Sequence, residues 1–403
     1  MRISHTYFPV MFILFGLALA ISNPSTAEEA NQAALDSTDI LYVTNRSPLV
    51  LENGASSYSS ERSHSFGFGS VQVLGADASN SVVAEPIEIG RFPETPYSLE
   101  KQSDHYIRSS SVIAEHTKAL NTFKNELSKR VEKSSSKEVI IFIHGYNNSF
   151  DDAVKSAAQL CNDLGFNNFV CVPFTWPAGG TKGILFGYNV DRESGEFSVP
   201  DLRKTIRMVA DTKVVRKIHL IAHSRGADVL ASTFQQLGIE AYAQKSNTSK
   251  RFKVDNIILA APDMDIDVAY TRVRGIVSDP DISYGNTVDY RAPFYPDQLH
   301  LTVYTSSNDL ALDTSKGLFG SDARLGQVKA DDSGKVEALS NKSLGAVEYI
   351  SVDDQADIVG HSYFLSNTSV RRDIVAIIRD HIRAGASGRS VVKLKDHYWK
   401  VLE

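Results

Sequence analysis

The stretch KIHLIAHSRGADVL, residues 217–230, sets a serine between an apolar run and a helix-like pattern. Ile218 to Ala222 has the unbroken hydrophobicity of a strand buried on both faces of a parallel sheet. From Gly226 onward the apolar residues recur at helical spacing. A serine in a tight strand-to-helix turn presents its Oγ at the carboxyl edge of a sheet. The backbone there is strained and crowded, so the residues two places away must be small. Here they are Ala222 and Gly226, giving A-x-S-x-G in place of G-x-S-x-G. Ser224 is therefore the candidate nucleophile. A serine that only caps the next helix is the plainer alternative, and the buried strand in front of it argues against that.

Strand and helix patterns alternate on both sides of this junction. EVIIFIHG (138–145), NFVCVPFTWP (168–177), VDNIILAAPDMD (254–265) and HLTVYTSSND (300–309) read as strands. Helical patterns cover 112–132, 149–165, 199–212, 226–238 and 369–384, the last placing His381 inside a helix. Such alternation predicts an α/β fold with a mostly parallel central sheet flanked by helices. Upstream, DILYVTNRSPLV (39–50) and SFGFGSVQVLG (65–75) read as two strands around a Ser-rich loop, a small N-terminal β extension. The expected organisation is a β-rich extension over 28–110 packed on the core, a catalytic domain over 111–385, and a tail over 386–403.

The first residues, MRISHTYFPVMFILFGLALAISNPSTAEEA (1–30), pair a weakly basic start with an apolar run from Tyr7 to Ile21. That run is short for a bilayer span, and Pro24 and the small residues Ser25-Thr26-Ala27 follow at once. A signal peptide over 1–27 is expected, with export to the periplasm or beyond, in preference to a retained anchor. No other window is apolar enough to span a membrane. The net charge of −6, from 42 basic and 48 acidic residues without long like-charge runs, excludes a nucleic-acid footprint. Only two cysteines occur, Cys161 and Cys171. In an exported chain they can bridge, or they can serve as small buried apolar residues.

A serine hydroxyl needs a base, a group to orient that base, and donors for the developing oxyanion. The donors expected in this arrangement are the amide after the serine, at Arg225, and an amide in the loop after an early strand. That loop reads His144-Gly145-Tyr146-Asn147, which makes Tyr146 the second donor. His144 reads as a residue that holds the loop. The acid should follow a later strand: Asp309 and Asp263 both qualify, and Asp309 is preferred because the last strands lie nearest the final histidine loop. His361, in DIVGHSYF (357–364), precedes the last helix and is the candidate base. The order Ser224, Asp309, His361 is the chain order of α/β-hydrolase sites. No metal or cofactor signature accompanies it: DMDID lacks a histidine or cysteine partner, and GFGSVQVLG lacks the strand-turn-helix setting of a dinucleotide site.

With those residues in view the chain resembles a bacterial group of α/β-hydrolase proteins known as a domain of unknown function. The matching blocks are IHGYN (143–147), FTWPAGG (174–180), GYNVDRES (187–194), IHLIAHSRG (218–226), LAAPDMDID (259–267) and SSNDLAL (306–312), within a likeness spanning residues 40–384. The resemblance implies a serine hydrolase with nucleophile Ser224, acid Asp309 and base His361, and it implies no substrate. Arg225 departs from it, standing where an uncharged residue is usual; it is expected to turn outward. His144, Asn147, Trp176 and Tyr188 are candidates for a substrate pocket, while Trp176, Asp191 and Arg192 read equally as structural. Cleavage of a small-molecule or lipid carboxylic ester is the expected activity. A peptidase, an amidase, an acyltransferase or a non-catalytic envelope protein on the same fold are the alternatives.

Overall fold

The computed structural model describes residues 37–75, 78–180, 184–278, 299–319, 323–332, 347–352 and 361–402. The expected signal segment, 1–27, lies outside them, as does most of the polar loop that follows residue 332. The centre of the fold is β7 (Glu138–Ile143), every residue of which is buried. Its alternate side chains feed two cores: Val139, Ile141 and Ile143 enter one, Ile140 and Phe142 the other. A strand covered on both faces favours an unbroken apolar run, here Val139 to Ile143, while Glu138 at its start is buried against His219 at 2.9 Å.

Earlier in the chain lie β1 (Ser37–Val50), β2 (Ser56–Leu74), β3 (Val82–Val83), β4 (Ile87–Arg91), the β5 (Leu99–Gln102) and β6 (His105–Arg108) hairpin, and α1 (Ser110–Lys133). After β7 come α2 (Phe150–Leu164), β8 (Phe169–Thr175), α3 (Ile184–Ala210), β9 (Lys217–His223), α4 (Gly226–Ala243), α5 (Thr248–Phe252), β10 (Val254–Ala260) and α6 (Ile266–Ser278). The chain closes with β11 (His300–Thr305), α7 (Leu310–Phe319), β12 (Val347–Ser351), α8 (Tyr363–Ser366), α9 (Thr368–Ile378), β13 (Val391–Lys395) and β14 (Tyr398–Val401). The main sheet runs β13-β14-β12-β11-β10-β9-β7-β8-β1-β2-β3, with β4 also paired to β2. From β1 to β14 along that order all neighbours are parallel; β2, β3, β4 and β13 are antiparallel additions at the edges. The α/β class expected from the sequence is the observed one.

The order matters for the site. The chain leaves β7 for β8 on one side, then crosses back to place β9 on the other. Residues of α2 and α9, such as Val154 and Ile374, pack in one core, and residues of α1, α3 and α4, such as Phe123, Leu202 and Leu230, in the other. The carboxyl ends of β7 and β9 therefore flank a topological switch point, where α/β sheets open a crevice.

Several local expectations change. The Ser-rich segment is strand, not loop: β2 begins at Ser56 and pairs with β1 through Tyr58↔Pro48 and Arg62↔Arg46. Half-buried serines between them hid the period that Tyr58, Phe66 and Phe68 carry inward. The helix expected at 199–212 starts at Ile184 and carries Pro200 in its interior. Burial of Tyr188, Asp191 and Val199 along its inner side overrides the weak local helix preference of GYNVDRESG. His381 lies beyond α9, in a left-handed conformation at φ 54°. Cys161 in α2 and Cys171 in β8 are joined by a disulfide. No helix among the described residues is long and apolar enough to cross a membrane.

The C-terminal segment, expected as a tail, supplies β13 and β14. It also supplies Arg389, whose guanidinium donates to Asp373 Oδ1 at 2.7 Å and Oδ2 at 3.1 Å and to Glu348 at 2.8 Å. Asp373 is buried and also accepts from Tyr304 at 2.7 Å. Removing one partner of a buried pair leaves an uncompensated charge, at a cost of about 3–5 kcal/mol. Arg389→Gln is accordingly expected to lower the unfolding free energy by about that amount in urea titrations; a midpoint within experimental error of wild type would show the segment to be dispensable.

Candidate active site

Ser224 follows β9 directly and adopts φ 52°, the left-handed region that non-glycine residues rarely occupy. Its amide donates to Ala260 O at 2.9 Å, and its carbonyl accepts from Asp263 N and Ala227 N at 3.1 Å each. The bend is thus held from both sides. Gly226 is required by close approach: a Cβ there would lie 2.3 Å from His144 O and 2.7 Å from Ile143 O. Gly145 answers from the opposite strand, where a Cβ would sit 2.8 Å from Ser224 Cβ. The turn after β9 and the loop after β7 are packed backbone to backbone.

The Ser224 hydroxyl lies 2.7 Å from His361 Nε2, and His361 Nδ1 lies 2.7 Å from Asp309 Oδ2. With Nδ1–H donating to the carboxylate, Nε2 is left to accept the serine proton. Asp309 is fully buried at the start of α7, where its second oxygen accepts from Leu312 N at 3.1 Å and the helix N-terminus favours negative charge. The other aspartate considered, Asp263, is held elsewhere. Tyr188 OH and Ser315 Oγ donate to it, the latter at 2.6 Å, and Arg324 lies 3.6 Å away. Burial pushes its carboxyl above the usual range despite that arginine.

The loop after β7 is fixed from below. His144 is fully buried, stacks on Trp176 at 5.1 Å with parallel rings, and donates from Nδ1 to Gly145 O at 2.9 Å. Trp176 returns a bond from Nε1 to His144 O at 2.8 Å. Neither ring reaches solvent, so both act as supports of the loop and do not line an open pocket. Asn147, itself at φ 56°, is exposed, and its amide donates to Asp191 Oδ2 at 2.9 Å. Asp191 also takes the Gly179 amide at 3.0 Å, tying the FTWPAGG and GYNVDRES segments to the loop.

Two supports were not legible as such in the sequence. Arg46 in β1 is 1% exposed and donates to Asn148 O at 2.6 Å, Ala178 O at 3.1 Å and Ser59 O at 3.3 Å, with Nη2 3.5 Å from His144 Nε2. Burial lowers its pKa to about 10, so it stays charged at neutral pH. The one hint is a cation inside an otherwise apolar strand, YVTNRSPLV. Tyr363 is the other: its buried hydroxyl accepts from Ala261 N at 3.0 Å and donates to Tyr304 O at 2.9 Å, anchoring the segment that carries His361.

Arg225 does not turn outward. It is buried, pairs with Asp228 at 2.7 Å, donates to Asp263 O at 3.2 Å, and lies 5.6 Å from the Tyr188 ring centre. Those partners consume its charge. The Tyr188 ring in turn stands 5.2 Å from that of half-buried Tyr146. The amides of Tyr146 and Arg225, the expected oxyanion donors, give no hydrogen bond to another protein group among the described residues.

His223, beside the serine, donates from Nε2 to the His361 carbonyl at 3.1 Å, its ring 4.9 Å from that of His361. Burial, and then the neighbouring His361, lower its pKa from 6.5 to about 3. The unfolded chain therefore takes up a proton below pH 6.5 that the folded chain refuses until about pH 3. The stability this residue contributes is complete above that window and is lost as pH falls through it. In urea unfolding, His223→Gln is expected to flatten the acid limb by up to ~1.4 kcal/mol per pH unit. An unchanged slope would mean that His223 is charged in the fold.

The chain is 26% identical to an uncharacterised protein, alr1448, of Nostoc sp. strain PCC 7120 over 261 residues, 54% of this chain. It spans 64% of that curated relative's length. Among solved structures, a lipase/esterase from Lactobacillus plantarum is 15% identical, with 53% of this chain and 75% of the other covered at a TM-score of 0.29. An esterase from Pyrobaculum calidifontis is 13% identical, with 66% and 91% covered at a TM-score of 0.31. The model of the alpha/beta hydrolase family of unknown function (DUF900) matches residues 119–380, and the chain belongs to that family.

Proposed function

We propose that this protein is an exported serine hydrolase that cleaves carboxylic esters through an acyl-enzyme. The observation that carries the reading is the unbroken contact chain from Ser224 Oγ through His361 to Asp309, 2.7 Å at each step, with the serine on a left-handed bend. Ser224 attacks the carbonyl carbon as His361 Nε2 takes its proton. Asp309 keeps Nδ1 protonated and stabilises the imidazolium. The Tyr146 and Arg225 amides receive the oxyanion, and the protonated His361 then returns its proton to the leaving alcohol. Water repeats the sequence on the acyl-enzyme, with His361 again as base. Esters are favoured over amides because an alkoxide leaves more readily than an amine. Export rests on the signal-like residues 1–27, with cleavage after Ala27.

A fluorophosphonate tests the reading directly. One adduct on Ser224 is expected in the wild-type protein and none in Ser224→Ala, and the intact mass also reads the processed N-terminus. Hydrolysis of p-nitrophenyl acyl esters is expected to fall at least ~10³-fold in His361→Ala and on the order of 10⁴-fold in Asp309→Asn, with thermal midpoints close to wild type for His361→Ala. Folded wild-type protein that takes no label would reduce the chain to a binding protein on a hydrolase fold. Asp263→Asn losing activity while Asp309→Asn keeps it would reassign the acid.

Arg46 provides a separate check on the oxyanion loop. Arg46→Met leaves the Asn148 and Ala178 carbonyls without their donor while leaving the Ser224–His361 contact in place. Labelling is expected to slow about ten-fold or more, short of the 10²–10³ seen when an oxyanion donor itself is removed. An unchanged rate in folded protein would show that the loop holds its place unaided.

A further inference from the structure

A cavity of about 650 Å³ lies against the C-terminal half of α3, bounded by α1, β2 and the turn through Pro96, and it shares no residue with the site around Ser224. That volume is within the range of small-molecule sites. Its apolar walls include Tyr97, Leu120, Phe197 and Met208. Lys204 sits within an aromatic bracket, with Nζ 3.9 Å from the Phe92 ring centre, 4.8 Å from Phe66 and 5.1 Å from Tyr97, and it donates to the Tyr97 hydroxyl.

The charges around this cavity are unevenly used. Its three carboxylates are each occupied: Glu196 faces Arg272 at 3.4 Å, Asp211 faces Arg251 at 3.0 Å, and Asp201 accepts from Asn45 at 3.1 Å. Among its cations, Arg207 is paired with Glu240 at 3.2 Å. Arg203 is not paired: its Nε is buried with no hydrogen-bond partner, and no ion pair holds its guanidinium among the described residues. Three cations and three carboxylates line the cavity, so what sets Arg203 apart is its lack of a partner among the described residues and not a surplus of charge. Burial, followed by Lys204 and Arg207, lowers the His116 pKa, and burial brings Lys204 itself down to about 8 against the opposing pull of Asp201, with Arg207 lowering it further.

We propose that this cavity binds a small planar organic carboxylate, its anionic end between Arg203 and Lys204 and its ring system against Tyr97 and Phe197. A guanidinium fork with no protein partner matches a carboxylate in a way an ammonium alone does not. An aromatic body would stack on rings already in place without ordering new side chains, which keeps the entropic cost of binding low. An uncharged isostere would fill the same walls yet leave Arg203 unanswered.

The test is calorimetric titration of the full-length mature protein with 2-naphthoate and, in parallel, with 2-naphthamide. The acid is expected to bind at least ten-fold more tightly than the amide. Arg203→Gln and Lys204→Met are each expected to weaken it at least ten-fold, and Ser224→Ala is expected to leave it unchanged. Should Lys204→Met fail to fold, the half-buried Arg203 variant decides the matter. Equal binding of acid and amide, an affinity untouched by Arg203→Gln, no heat up to millimolar ligand, or loss of binding after fluorophosphonate labelling of Ser224 would each overturn the proposal. Because the cavity is separate from Ser224, these outcomes are independent of whether the protein hydrolyses esters.

Discussion

The close packing of the turn after β9 against the end of β7 is the constraint on which the site depends. With Gly226 within van der Waals reach of the Ile143 and His144 carbonyls, the chain can leave β9 only by the bend that puts Ser224 in the left-handed region. A residue held there by a non-glycine side chain carries on the order of 1–3 kcal/mol of strain, so the surroundings must over-determine it. They do so through four backbone hydrogen bonds around Ser224 and Ala261, the latter also at positive φ, 47°. The strained bend is thus a consequence of strand packing, and it is the same bend that exposes the hydroxyl to His361.

Around it stands a layer of buried polar groups held mostly by hydrogen bonds, the Arg46 Nε being an atom that finds no partner. Asp191 takes two loop amides, Arg46 takes three carbonyls, and Tyr363 bridges the ends of β10 and β11. In a low-dielectric interior such groups are worth more than their surface counterparts and are costlier to leave unpaired. They tie the backbone of the loop after β7 to α3 through Asp191 and to β1 through Arg46. The aspartates near the site divide their work by environment: Asp309 faces a histidine and a helix N-terminus, Asp263 two hydroxyls and an arginine, Asp191 backbone amides, and Asp228 the Arg225 guanidinium.

What the sequence revealed follows from what each element asks of its residues. The strands β7, β9, β10 and β11 are buried on both faces, so their apolar runs were legible, and with them the positions of Ser224 and the loop after β7. His361 was reachable by order along the chain. The supports were not. Arg46 reaches the loop through carbonyls of residues 102 and 132 positions on, a partnership no local pattern records. Arg225 turns inward because Asp228, one helical turn on, and the Tyr188 ring receive it, and the second of these depends on a helix start that local preference concealed. The strand character of β2 was masked by half-buried serines, such as Ser59 and Ser65, whose hydroxyls donate to backbone carbonyls and so tolerate a strand.

The N-terminal strands also change what counts as the working unit. The family match begins at residue 119, whereas Arg46 and its neighbour Asn45 precede it and hold, respectively, the loop after β7 and Asp201 in α3. A buried carbonyl without a donor costs about 1–3 kcal/mol, and the Asn148 and Ala178 carbonyls depend on one guanidinium from β1. A segment confined to the matched region would therefore have to satisfy those groups by another route or accept a looser loop. In this chain β1 is parallel to β8 and continuous with the central sheet, so the residues that fix the loop are as rigidly placed as the strand that carries the serine. Because β1 also stands between β8 and β2, its loss would release the loop after β7 and the strands β2, β3 and β4 together.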